Sequence, residues 1–275
     1  MNFELEMNSY EDICKILNIH PDLKPDVSAY DEEDQKAAVS LFRLWNANKA
    51  AWNGEMIDFN DDDQEKYEIL FDLGDEVDPD SGLMYFTYRP VSNRSHVGAR
   101  LLWPGITIAK HVTKVMQQDF MNMMKIPEKI IKTGNESLKL STINSKSEVN
   151  SYEDICKILN IDPDLEPDVS AYTMEDKEAA ISMFRLWKAN KAVWNGEVID
   201  FNNYDRNIYQ HKYEVMCNLS DEAGGGEGFT YSSCSSTGDY SALGARLLWP
   251  GTTIAKHMTK VMREDFINVM KIPKK

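Results

Sequence analysis

The sequence predicts an α+β fold: two tandem copies of a helix, helix, strand, strand, strand, helix unit, with helices packed on a small antiparallel sheet. Three observations predict it. The first is repetition. Residues 8–58 match residues 150–200 at 40 of 51 positions, and Gly98 to Pro127 match Gly244 to Pro273 at 24 of 30. The second is apolar spacing of three and four residues at the start and end of each copy, the period of a helix with one buried face. The third is a middle stretch of short β-prone runs broken by Gly, Pro, Asp and Ser, the pattern of strands and turns.

Ser9, with Asp12 three residues on, reads as a helix N-cap with an acidic partner, and Tyr10, Ile13, Cys14 and Leu17 share one face. Pro21 and Pro25 end that helix. Asp31 to Asn53 predicts a second helix. Four acids sit at the positive end of its dipole, Ala38, Leu41, Phe42, Trp45 and Trp52 form its apolar stripe, and Asn53-Gly54 stops it. Lys66 to Phe71, Met84 to Tyr88 and Ala99 to Trp103 predict three strands. A last helix is expected from Gly105-Ile106-Thr107, burying Ile108, Val112, Val115, Met116, Phe120, Met123 and Met124.

The repeat is too long for a solenoid unit, which cannot bury its own core. About 120 residues bury roughly two thirds of their surface alone, so each copy is expected to be a complete domain. The boundaries are 1–129 for the first, 130–149 for a linker rich in Ser, Thr, Asn and Lys, and 150–275 for the second. Tethering two such copies predicts a pseudo-twofold pair within one chain.

Composition narrows the function. The 275 residues carry 30 Lys and Arg against 45 Asp and Glu, a net charge of −15, which argues against non-specific binding to a phosphate backbone. No apolar run reaches the roughly 18 residues of a membrane span, and the first residues do not read as a signal peptide. Cys14, Cys156, Cys217 and Cys234 form no CxxC pair, so four free thiols and a reducing cytoplasm are expected, with Cys14 and Cys156 buried.

Catalytic signatures are missing from the sequence. It contains no phosphate loop, zinc-binding HExxH, GxSxG elbow or calcium loop, and no metal or cofactor is expected. Of five histidines only His111 and His257 correspond between copies, each between lysines on the last helix, where a surface role is expected. The acids Glu55/Glu197 and Asp58/Asp200 read as solvated or capping groups, and Gly224-Gly225-Gly226 as a flexible loop. The chain is expected not to be an enzyme.

One constellation stands out. Gly-Ala-Arg-Leu-Leu-Trp-Pro-Gly occurs at 98–105 and again at 244–251, running from a strand into a helix start. Arg100 and Arg246 sit amid apolar residues, where a cation needs a partner. That partner is either a carboxylate of the chain or an external anion. An arginine beside a helix N-terminus makes a small anion site, so Arg100, Trp103, Gly105 and Lys110, with Arg246, Trp249, Gly251 and Lys256, form the candidate ligand-binding set. The shared aromatics Trp45/Trp187, Trp52/Trp194, Tyr67/Tyr213, Tyr88/Tyr231 and Trp103/Trp249 could stack on a base or line the core.

The Ser-Tyr-Glu-Asp-x-Cys run from Ser9 to Cys14, Trp194-Asn195-Gly196, a Lys-Tyr strand, Gly228 to Tyr231 and the Gly-x-Arg-Leu segment before the last helix together resemble a family of small uncharacterised proteins. These are associated with bacteriophages and mobile elements of gut Bacteroidales. The resemblance covers each copy almost end to end, and the chain departs from the pattern at Leu102-Trp103-Pro104-Gly105. It implies a cytoplasmic accessory protein made for interaction. The resulting expectation is a non-catalytic protein that binds a small anionic, nucleotide-like ligand to counter host defence. The alternative is an acidic interaction module or nucleic-acid mimic acting on a host protein with a basic surface.

Overall fold

In the computed structural model, which describes residues 7–73, 84–124, 149–194, 199, 211–237 and 240–271, the first helix begins where its cap predicts. Ser9 Oγ accepts the Asp12 N–H at 3.1 Å to open α1 (Tyr10–Leu17), and Asn18 closes it in the left-handed conformation at φ 53°. Helix α2 (Glu32–Trp52) follows, buried along much of its length. Strands β1 (Tyr67–Asp72), β2 (Met84–Pro90) and the two-residue β3 (Arg94–Ser95) lead to a 3₁₀ turn at Ala99–Leu101. Helices α3 (Ile106–Val115) and α4 (Gln117–Met124) complete the first half.

The second half repeats this order as α5 (Tyr152–Leu159), α6 (Met174–Trp194), β4 (Lys212–Asn218), a glycine turn α7 (Ala223–Gly226), β5 (Thr230–Thr237), β6 (Tyr240–Ser241), a 3₁₀ turn at Ala245–Leu247, α8 (Thr252–Val261) and α9 (Arg263–Met270). The architecture is α+β, with two small antiparallel sheets. Among the described residues no helix is long and apolar enough to cross a membrane.

Each sheet draws on both halves. One has the order β2-β1-β6, with Phe71 opposite Ser241. The other has the order β3-β4-β5, with Ser95 opposite Cys217. Helix α2 packs on α4 and α6 on α9. Between the halves, Tyr30 meets Phe184 edge-on and Tyr172 meets Phe42 edge-on, each with ring centroids 5.0 Å apart. The apolar core is therefore continuous across the boundary.

Three expectations are corrected. The Ala99–Trp103 segment is a 3₁₀ turn rather than a strand, and only Trp103 makes a sheet-like bridge, to Tyr67. The turn is imposed from α2: Asn48 Nδ2 and Trp52 Nε1 both donate to the Leu102 carbonyl, at 2.5 and 2.7 Å. The last helix is broken at Met116, whose φ of −107° and ψ of 24° leave the helical region, so that α4 can lie on α2. Third, His111 is half-buried rather than a surface residue, and its ring nitrogen bonds the Met7 carbonyl at 2.7 Å; His257 does the same with Val149. The linker at 130–149, except Val149 and its end, lies outside the described residues, as do Glu197 and Asp200.

The backbones of the halves approach tightly at two glycines. A Cβ on Gly98 would collide with the Met270 backbone, and one on Gly244 would lie 2.6 Å from Met124 Cα; both glycines also have positive φ, 66° and 71°. Gly98→Ala is therefore expected to destabilise the fold by about 2–4 kcal/mol, read as a lower midpoint in urea. An unchanged midpoint would mean that this contact is not tight.

Candidate functional site

The arginines set apart by the sequence are enclosed. Arg100 is 2% exposed and Arg246 3%. Arg100 reaches into the second half, where Nε donates to Asp176 Oδ1 at 3.0 Å, Nη1 to the carbonyls of Asn268, Val269 and Lys271, and Nη2 to the Glu175 carbonyl. Arg246 does the reverse: Nε donates to Asp34 Oδ1 at 2.7 Å, Nη1 to the Asn122 and Met123 carbonyls, and Nη2 to the Glu33 carbonyl. Each guanidinium also lies over an indole of its own half, Trp45 at 5.3 Å and Trp187 at 5.4 Å. Burial pulls the Arg100 pKa down, and Asp176 and Glu175 oppose the shift.

The partner of each arginine is thus a carboxylate of the chain, in the other half. A bidentate or multiply bonded guanidinium gains from planar acceptors at fixed positions. Here it also satisfies the unpaired carbonyls at the end of a helix. Asp34 was read from sequence only as one of four dipole-favouring acids, and Asp176 was not singled out. The clue to their role was that the Glu-Asp pair recurs unchanged at 33–34 and 175–176.

The rest of the candidate set is dispersed. Trp103 and Trp249 are buried, each 6.3 Å from a phenylalanine of its own half, Phe120 and Phe266. Lys110 and Lys256 are exposed and lie 6.0 Å over the rings of Tyr88 and Tyr231, whereas the arginines are buried. Gly105 caps α3, and the Glu65 carboxylate lies 3.4 Å from where a Cβ on it would stand. Gly251 holds the same place before α8. Between the two arginines lies a cavity of about 20 Å³, lined by both and by Trp45, Trp187 and Trp249. That is room for one water, far below the roughly 300 Å³ of small-molecule sites.

A second polar cluster escaped the sequence reading. Glu68, fully buried on β1, accepts Ser95 Oγ at 2.7 Å and the His96 N–H at 2.6 Å, and Arg89 closes on its other oxygen. His96 Nδ1 is 3.3 Å from that oxygen and Nε2 is 3.4 Å from Ser235 Oγ in the second half. Serine, imidazole and carboxylate in line resemble a nucleophile with its base and orienting acid. Arg89 Nη2, however, sits 2.6 Å from His96 Nδ1 and can only donate there. The proton then belongs on Nε2, which faces Ser235 as a donor, so the ring does not take the serine proton in this arrangement. Burial works to raise the Glu68 pKa, but the hydrogen bonds and positive charge gathered on its carboxylate overcome it and hold the carboxyl at about 2.

Other groups are accounted for within the fold. Asp31, Glu33 and Asp34, close enough together to ligate a metal, face Lys188, Lys191 and Arg246. Lys66 is buried and donates to the carbonyls of Asp58 and Asp61 at 2.8 and 2.5 Å. All four cysteines are unpaired thiols. Burial raises the pKa of Cys14 and Cys156, and that of Cys217 to about 12, while Cys234 is half-exposed. No family model matches the chain, and no curated protein or solved structure is significantly similar to it.

Two outcomes follow from this geometry. Arg100→Ala leaves Asp176 to Lys49 and Thr173 alone and strands several helix-end carbonyls, and should cost about 2–4 kcal/mol in unfolding free energy; Arg100→Lys, lacking the planar fork, should recover little of it. A melting temperature unchanged by Arg100→Ala would contradict the buried pairing. The second outcome concerns pH. Glu68 has a folded pKa depressed from 4.5 to about 2, so its contribution is complete above the unfolded value and lost as pH falls from about 5 towards 2. The stability gap between wild type and Glu68→Gln should therefore narrow over that window by on the order of 3 kcal/mol. Parallel pH profiles would count against it.

Proposed function

We propose that the chain is a non-catalytic binding protein, two copies of one module about a pseudo-twofold axis, that presents an acidic exterior to a basic surface on a partner protein. The observation that carries this reading is how charge is sorted. Among the described residues 20 exposed Asp and Glu stand against nine exposed Lys and Arg, while the buried charges balance, Lys66, Arg100, Lys188, Lys212 and Arg246 against Asp34, Glu68, Asp119, Asp176 and Glu214. The exterior is more acidic than composition alone implies.

The acids are densest on the loop from Glu55 to Glu65, where Asp58, Asp61, Asp62, Asp63 and Glu65 are all exposed. Asp221 and Glu222 of the second half join them, because the Asp221 N–H donates to Asn60 Oδ1 at 2.9 Å. The buried Lys66 ammonium holds this loop by its carbonyls, leaving the carboxylates outward. A surface of one sign accelerates encounter with its opposite and rejects its like, which favours a basic protein over nucleic acid. The small-anion reading is supported less, since both arginines spend their N–H groups within the chain. The resemblance to phage and mobile-element proteins supplies a context, an accessory protein acting on a host protein in the cytoplasm.

The test is titration with a lysine-rich peptide at low and physiological salt. Wild type should bind, and weaken steeply as salt screens the charges. A variant carrying Asp61→Asn, Asp62→Asn, Asp63→Asn, Asp221→Asn and Glu222→Gln should bind roughly tenfold more weakly without loss of stability. Equal binding by the variant overturns the reading. Stabilisation by a nucleotide, about 2.7 kcal/mol at 100 times its dissociation constant, would restore the small-anion alternative.

A further inference from the structure

Each half carries both sides of the contact between the halves. Arg100 and Asp34 belong to the first half, and each meets its opposite number, Asp176 or Arg246, in the second. Tyr30 and Phe42 of the first half meet Phe184 and Tyr172 of the second in the same crossed way. Gly98 lies against Met270 while Gly244 lies against Met124, and Asp26 bridges Asp168, its own counterpart. An interface in which residue i meets j and j meets i is the kind two identical chains make.

We propose that this seam is a self-complementary surface that a second copy of the same half can occupy, so that the chain is a homodimer made covalent and since biased towards its unlike halves. The proposal rests on the twofold relation above but not on the basic partner. It also accounts for where the halves differ. The first half has Asp31 and Asn46 where the second has Thr173 and Lys188. Lys188 is buried with its ammonium 3.0 Å from Asp31. In a pair of second halves that lysine would face threonine instead, a buried charge without an acid. In a pair of first halves Asn46 brings no charge to bury, and it bonds the Tyr10 hydroxyl at 3.1 Å. The Lys188–Asp31 pair thus favours one half joining the other.

The test uses the whole chain with a site-specific protease sequence inserted between Gly134 and Asn135. Cut, unfolded in urea and refolded as a mixture, the halves are weighed as pairs by native mass spectrometry. Wild type should give pairs of unlike halves in about tenfold excess. With Asp31→Thr and Lys188→Asn, pairs of like halves should rise towards their statistical share. In that background Asp26→Cys should yield a disulfide linking two first halves. Unlike pairs alone in both proteins, or halves that stay apart, overturn the proposal. Neither readout depends on binding a basic peptide, so the two proposals fail separately.

Discussion

A guanidinium taken out of water costs several kcal/mol unless carboxylates and carbonyls replace the lost hydration, and in this chain neither half can supply them for its own arginine. Arg100 finds its acid at the start of α6 and its carbonyls at the end of α9; Arg246 finds the equivalent groups at the start of α2 and the end of α4. A cation at a helix C-terminus is favoured by the dipole as well as by the unpaired carbonyls. Each arginine therefore fixes two helices of the other half, and the direction in which α2 and α6 cross the molecule follows from that.

The other features of the seam serve to aim these side chains. Leu102 and Leu248 turn their carbonyls to an asparagine and a tryptophan of α2 and α6, which forces the preceding residues into 3₁₀ turns. The glycines before them remove the Cβ atoms that would hold the halves apart. The indoles of Trp45 and Trp187 roof the guanidinium groups and keep the surroundings dry, which strengthens every bond beneath. Among the described residues five acids are buried with the five buried cations, so the acidic excess stands on the exterior, where the Glu55 to Glu65 loop concentrates it.

Much of this was legible in the sequence and some was not, for physical reasons. The helices were legible because a cap and a 3.6-residue period are local properties: Ser9, Asn53 and the stripe along α2 suffice. The 3₁₀ turn at Ala99–Leu101 was not, because apolar β-prone residues read as a strand and only the distant Asn48 and Trp52 make them turn. The break at Met116 carries no glycine or proline to announce it. Arg100 was recognisable as a buried cation needing a partner, but a sequence does not say which of 45 acids supplies it. Trp103 and Lys110 follow Arg100 by three and ten residues along the chain and go elsewhere in space, since a turn and a helix start send nearby residues in different directions. His96 had no counterpart in the second half to mark it, and its partners Glu68, Arg89 and Ser235 are gathered only by the sheets.

Where the halves differ, the cost is visible. At the position of Asn46, which satisfies the Tyr10 hydroxyl, the second half has Lys188, and the equivalent Tyr152 hydroxyl is buried with no hydrogen-bond partner. A buried, unsatisfied hydroxyl costs about 1–3 kcal/mol. The lysine has turned instead to Asp31 in the first half, exchanging a bond within its own half for an ion pair across the seam. A similar divergence separates Glu68 from Glu214. Both hold the turn that follows by hydroxyl and backbone N–H groups, but only Glu68 has added His96 and Arg89, and through His96 a contact to Ser235 in the other half. Both changes replace interactions that either half could make with any copy of itself by interactions that need the specific other half. Under the covalent pairing proposed above, the tether guarantees which partner is present and leaves drift free to move in that direction.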